Sequence, residues 1–111
     1  MPFDEQLAQR IRQVVARRKG FTEKKMFGGV CFFLNGHVTC GVWKDSLILR
    51  IGPAKYEDVL QASCVSEFDV TGRPMRGWVK VSPQGISDKE SLRDWIEQAV
   101  KFVRTLPAKA Q

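Results

Sequence analysis

Three cysteines, one histidine and a set of lysines and arginines are the side chains through which this 111-residue chain could do chemistry. Cys31 and Cys40 flank Asn35-Gly36, the pair that best suits a two-residue type I′ hairpin turn, where both residues take positive φ. Such a turn pairs Leu34 with His37, Phe33 with Val38, Phe32 with Thr39 and Cys31 with Cys40. The two thiols then face each other in a closely spaced, non-hydrogen-bonded pair. A disulfide there would act as a redox switch and add ~2–3 kcal/mol on the chain-entropy view. The plainer role is two buried thiols serving as small hydrophobes, usual in a reducing compartment. No neighbouring cation in the sequence favours either thiolate, and Cys64 reads as a spare thiol. His37 directly follows the turn, and the register sets it on the face opposite both cysteines, away from any Cys–His nucleophile pair.

Three scattered cysteines and one histidine match no zinc spacing, so neither a metal nor another cofactor is expected. There is no nucleophile elbow and no HExxH helix. Gly28-Gly29 is followed by neither Gly-Lys-Ser/Thr nor a helix, which excludes a phosphate loop and leaves a bulge or tight bend. The chain is read as a non-enzyme.

Lysine and arginine number 18 against 12 aspartates and glutamates, for a net charge of +6. That charge permits attraction to nucleic acid or another acidic partner. The nucleic-acid candidates are Arg10, Arg12 and Arg17 on a first helix, with Lys24, Lys25 and Lys80. A second basic element is Arg73-Pro74-Met75-Arg76, bracketed by Gly72 and Gly77. Pro74 presets a turn and holds Arg73 extended, so a stiff loop offers both guanidinium groups to phosphate or to an acidic protein surface. The alternative is arginine packed over Trp78 or paired with Asp69. No RNA-recognition motif, KH loop or helix-turn-helix is evident.

These residues must be positioned by regular elements. Phe3, Leu7, Ile11, Val14 and Val15 recur at helical spacing and predict a helix from about Asp4 to Arg18, stopped at Gly20. A strand from Thr22 to Phe27 precedes the hairpin, and a second turn at Lys44-Asp45 pairs Trp43 with Ser46 and Cys40 with Leu49. One face of the resulting meander collects Cys31, Phe33, Val38, Cys40, Val42, Leu47, Leu49 and Ile51, the expected core. The other holds Phe32, Trp43 and Ile48 among polar residues and suits a covering helix, a second copy of the chain as a homodimer, or a partner. Pro53 opens a short helix to about Ala62. Strands follow at Glu67–Val70 and Trp78–Ser82. The last helix begins at a capping box with Ser87 as N-cap and Glu90 at N3, runs on a stripe of Leu92, Trp95, Ile96, Ala99, Phe102, Val103 and Leu106, and stops at Pro107.

The order α-β4-α-β2-α predicts an α+β fold: an antiparallel meander of about five to six strands with helices mainly on one face, in a single domain over residues 1–111. No apolar run approaches a membrane span, and the acidic start MPFDEQLAQ lacks a signal peptide's basic and apolar regions. A cytoplasmic location is expected.

Lys25-Met26-Phe27-Gly28-Gly29, then Gly41-Val42-Trp43, Leu47-Ile48-Leu49-Arg50 and Thr71-Gly72-Arg73-Pro74-Met75-Arg76-Gly77-Trp78 give the chain a wider likeness. In these motifs and their order it resembles the N-terminal domain of the TfoX (Sxy) family of bacterial competence regulators, from about Arg10 to Leu106. The resemblance implies an α+β domain without established catalytic residues. Longer members resemble transcriptional co-regulators that act with the cyclic-AMP receptor protein and carry a second, C-terminal domain. This chain ends where that domain would begin, so the expectation is a stand-alone N-terminal domain. What carries over is a module for a protein partner in transcription regulation, with Met26, Phe27, Gly28, Gly29, Arg73, Pro74, Met75 and Arg76 as the positions matching the family motif. A bulge and a core contact would explain the glycines and Met-Phe equally well.

Overall fold

Helix α1 (Glu5–Val15) starts where Asp4 turns its carboxylate back on the chain, accepting from the amides of Gln6 and Leu7 at 2.9 and 3.1 Å. That satisfies two of the amides a helix N-terminus leaves unpaired. The computed structural model describes residues 4–16, 18–26, 28–68 and 77–107, the side chain of Met26 excepted. Leu7, Ala8, Ile11 and Val15 form the buried stripe of α1.

Strands β1 (Phe21–Met26), β2 (Gly29–Leu34), β3 (His37–Trp43), β4 (Ser46–Arg50), β5 (Val65–Glu67) and β6 (Trp78–Val81) form one antiparallel sheet in the order β1-β2-β3-β4-β6-β5. Asn35 and Gly36 make the expected tight turn, at φ 53° and 86°. The second turn also matches expectation: Trp43 pairs with Ser46, and Cys40 with Leu49.

The register of β2 on β3 departs from the sequence reading. Leu34 pairs with His37 and Phe33 with Val38, but Phe32 then pairs with Cys40 and Cys31 with Gly41. Thr39 is the additional residue of a β-bulge, and beyond it the whole of β2 is turned over relative to β3. Cys31 therefore does not face Cys40. Val30, Phe32 and Leu34 join the core with Cys40, Val42, Leu47, Leu49 and Ile51, whereas Cys31, Phe33 and Val38 do not. The hydroxyl of Thr39, fully buried, donates to the His37 carbonyl at 3.2 Å.

Helix α2 (Pro53–Leu60) runs over β5 and β6 and buries Tyr56, whose hydroxyl donates to Glu67 at 3.3 Å. The strand expected at Glu67–Val70 is β5, ending at Glu67; residues 69 and 70 lie outside the described ones. A 3-10 turn, Pro83–Ile86, leads to α3 (Lys89–Val103). Its N-cap is Asp88, not Ser87: the Asp88 carboxylate accepts from the Ser91 amide at 3.0 Å and the Ser91 hydroxyl at 2.7 Å. Leu92, Ile96, Ala99, Val100 and Val103 are buried, and the Trp95 indole donates to the Gly85 carbonyl at 3.2 Å. The helices and the inward strand residues share one apolar cluster. The fold is α+β, with N-terminal, middle and C-terminal helices on a six-stranded antiparallel sheet. Among the described residues, no helix is long and apolar enough to cross a membrane.

Candidate functional site

The bulge decides what the cysteines can do. Alternation of side chains sets Cys31 beside Gly41 on one face and Cys40 beside Phe32 on the other. Cys40 is fully buried, Cys31 half-buried, and both are free thiols. Burial pushes both thiols up from their ordinary pKa, Cys40 strongly, so neither favours the reactive thiolate. His37 lies on the helix side, where its Nε2 hydrogen-bonds the Pro107 carbonyl at 2.6 Å. A carbonyl only accepts, so Nε2 carries the proton. Among the described residues, no three His, Cys, Asp or Glu side chains gather where they could hold a metal.

The motif glycines have a structural job. Met26 pairs with Gly29, and Gly28, just before β2, takes φ +76°. Gly29 has an ordinary φ, but a Cβ there would run into the Val42 carbonyl oxygen of β3. One glycine supplies the positive φ and the other admits a neighbouring backbone. Phe27, Arg73, Pro74, Met75 and Arg76 lie outside the described residues, as does Arg17.

The remaining basic candidates do not form one patch. Arg10 donates to the carbonyl of Ile86 at 2.6 Å and points a longer contact at that of Asp88, 3.4 Å, tying α1 to the start of α3. Arg12 grips Glu23 of β1 with two bonds of 2.8 and 2.9 Å, and this contact holds the Glu23 carboxyl below its ordinary pKa. Arg18 pairs with Glu97. A cleft of about 420 Å³ lies beside it, with Lys19, Asn35 and Arg104 in its lining. Its cations sit at the C-terminal ends of α1 and α3, where they complement the helix dipoles. Lys24 and Lys25 are exposed on β1, an edge strand, and point to opposite faces.

The face of the sheet turned away from the core cluster is different. Its strand positions are Thr22 and Lys24, Cys31 and Phe33, Val38, Gly41 and Trp43, Ser46, Ile48 and Arg50, Ser66, and Trp78 and Lys80. Every charged residue among them is a cation; Glu23 and Glu67 point to the helix side. Phe68 lies between two of the indoles, with ring centroids 6.2 Å from Trp43 and 6.4 Å from Trp78. The Lys44 and Lys80 ammonium groups stand over the Trp43 ring at 4.7 and 5.4 Å, and the Arg50 guanidinium lies near both Trp78 and Phe102 of α3. Among the described residues Lys24, Lys44 and Lys80 make no ion pair. Rings Phe33, Trp43 and Trp78 are half-buried, while Ile48 and Phe68 are buried between them.

Sequence reasoning found Trp43 and Ile48 on this face, named Lys80 as a basic candidate without assigning it a face, placed Phe32 there wrongly, and missed Phe33 and Val38. Both alternating sets of β2 are apolar, Cys31 and Phe33 as well as Val30, Phe32 and Leu34, so alternation alone does not choose between them.

No curated protein and no solved structure is significantly similar to the chain. The family model of the TfoX N-terminal domain matches residues 13–103. That span runs from the last turn of α1 to the end of α3 and takes in the whole sheet. The chain therefore belongs to the TfoX N-terminal domain family.

Proposed function

We propose that this domain is a non-catalytic binding module that serves gene regulation by docking an anionic macromolecule on the outer face of its sheet. The observation that carries the reading is the composition of that face: half-buried aromatic rings, lysines that make no ion pair among the described residues, and no outward carboxylate on any described strand. Aromatic and basic side chains concentrate where surfaces bind. The thiols support the non-catalytic part, since burial holds both Cys31 and Cys40 in the unreactive form. Family membership supports the regulatory setting, whether the partner is a transcription protein with an acidic surface or a nucleic acid.

Photo-crosslinking tests the surface. A benzoylphenylalanine placed at Val38 or Ser66 reports on the outer face, and one at Gln13 reports on the exposed side of α1. Adducts formed in cells from the two outer positions and not from Gln13 are expected. Adducts from Gln13 alone would contradict the reading.

A further inference from the structure

We infer that the anionic macromolecule is a single-stranded nucleic acid, lying across the strands with its bases against Phe33, Trp43 and Trp78; this rests on the outer face being the working surface. The central outward row runs Lys24, Cys31, Gly41, Ile48, Lys80 across β1, β2, β3, β4 and β6. Four inter-strand steps of about 4.8 Å separate its two lysines, roughly 19 Å, enough for a few nucleotides of extended chain. Phe68 packs between the Trp43 and Trp78 indoles beside the row, and Ile48 is buried, so the half-exposed edges of Phe33, Trp43 and Trp78 are the aromatic surface the face offers.

The cations are of the kind that follows phosphates. Lys24, Lys44 and Lys80 are flexible point charges that can each follow a phosphate, and Arg50 beside Trp78 adds a guanidinium fork whose geometry matches phosphate oxygens. Two of them rest on the Trp43 ring. A base stacking on that ring displaces an ammonium group toward its own phosphate, so one residue pair supplies both the π-face and the counter-charge. A duplex keeps its bases paired and offers the rings no face to stack on. A second copy of the chain fits poorly, because a two-fold contact through this face would set lysine-rich surfaces against each other.

The test is fluorescence anisotropy of the full chain with a labelled oligothymidylate about 12 nucleotides long, and with a duplex of equal length. The single strand is expected to bind more tightly. With three phosphates neutralised, its affinity should fall roughly 20-fold between about 50 and 200 mM salt. The double variant Lys24→Glu, Lys80→Glu, confined to the surface, should weaken binding at least about tenfold and flatten that salt dependence. Trp43→Phe and Trp78→Phe keep a stacking ring; each should retain binding while removing part of the tryptophan quenching seen on adding the strand. No binding at the lower salt, equal affinity for the duplex, or indifference to the lysine double variant would overturn the inference. If outer-face crosslinks form only with protein, this inference fails and the binding-module reading stands. If crosslinks form only at Gln13, both fail.

Discussion

A methyl group added at Gly29 would meet the Val42 carbonyl oxygen, whereas one added at Gly28 would meet nothing within 4 Å. The two neighbours should therefore fail differently. Gly29→Ala forces β2 and β3 apart and is expected to cost about 2–3 kcal/mol, the range of overpacking. Gly28→Ala pays only for a non-glycine at positive φ, about 1 kcal/mol, and Gly28→Asn less, since Asn tolerates that region. Urea denaturation of the three variants gives the ranking. Cys40 makes a second prediction at this scale. Its thiol titrates higher in the folded chain than in the unfolded one, so above the ordinary value of 9.0 the unfolded state loses its proton first. Stability contributed by the buried thiol is complete below pH 9.0 and declines as pH rises above it. Cys40→Ala, though less stable overall, should show a shallower alkaline decline in urea midpoints; an identical decline would place the titration elsewhere. With Cys31 and Cys40 on opposite faces, oxidation should leave the stability of the wild-type monomer unchanged.

Elements were legible in the sequence wherever a local signal fixes the backbone. Asn35-Gly36 and Lys44-Asp45 set two hairpins, Pro53 set the start of α2, and helical spacing set α1 and α3. Legibility stopped where one residue changes the parity of a strand. Nothing in HVTCGVW marks Thr39 as a bulge, and both faces of β2 are apolar enough to be core. The error mattered for function, because it moved Cys31, Phe33 and Val38 across the sheet and created a thiol pair the fold does not have. The cap of α3 was displaced by one residue for a similar reason: Ser87 and Asp88 are both good N-caps, and Ser87 is instead the C-cap that follows the 3-10 turn. Asp88→Ala should lower the thermal midpoint, and Ser87→Ala should leave it nearly unchanged. The reverse order would restore the capping box. Arg10 and Arg12 looked like free cations of a basic helix, but long-range contacts to Ile86 and Glu23 employ both. Sequence spacing carries no information about such partners.

At the scale of the molecule, the helices cover one face of the sheet with carbonyl-bonded and paired arginines, and the opposite face keeps lysines beside aromatic rings. The net charge of +6 alone predicts attraction without a location. The register supplies the location, since Lys24 and Lys80 lie in one row, continued by Ser66, that no described carboxylate interrupts. The most direct measurement of that claim is an amide chemical-shift map of the labelled protein titrated with oligothymidylate. The account predicts shifts centred on Lys24, Cys31, Gly41, Ile48 and Lys80 and on the Trp43 and Trp78 indoles, with α1 and α3 unmoved. Shifts centred instead on Lys19, Asn35 and Arg104, in the cleft between the helix ends, would contradict it.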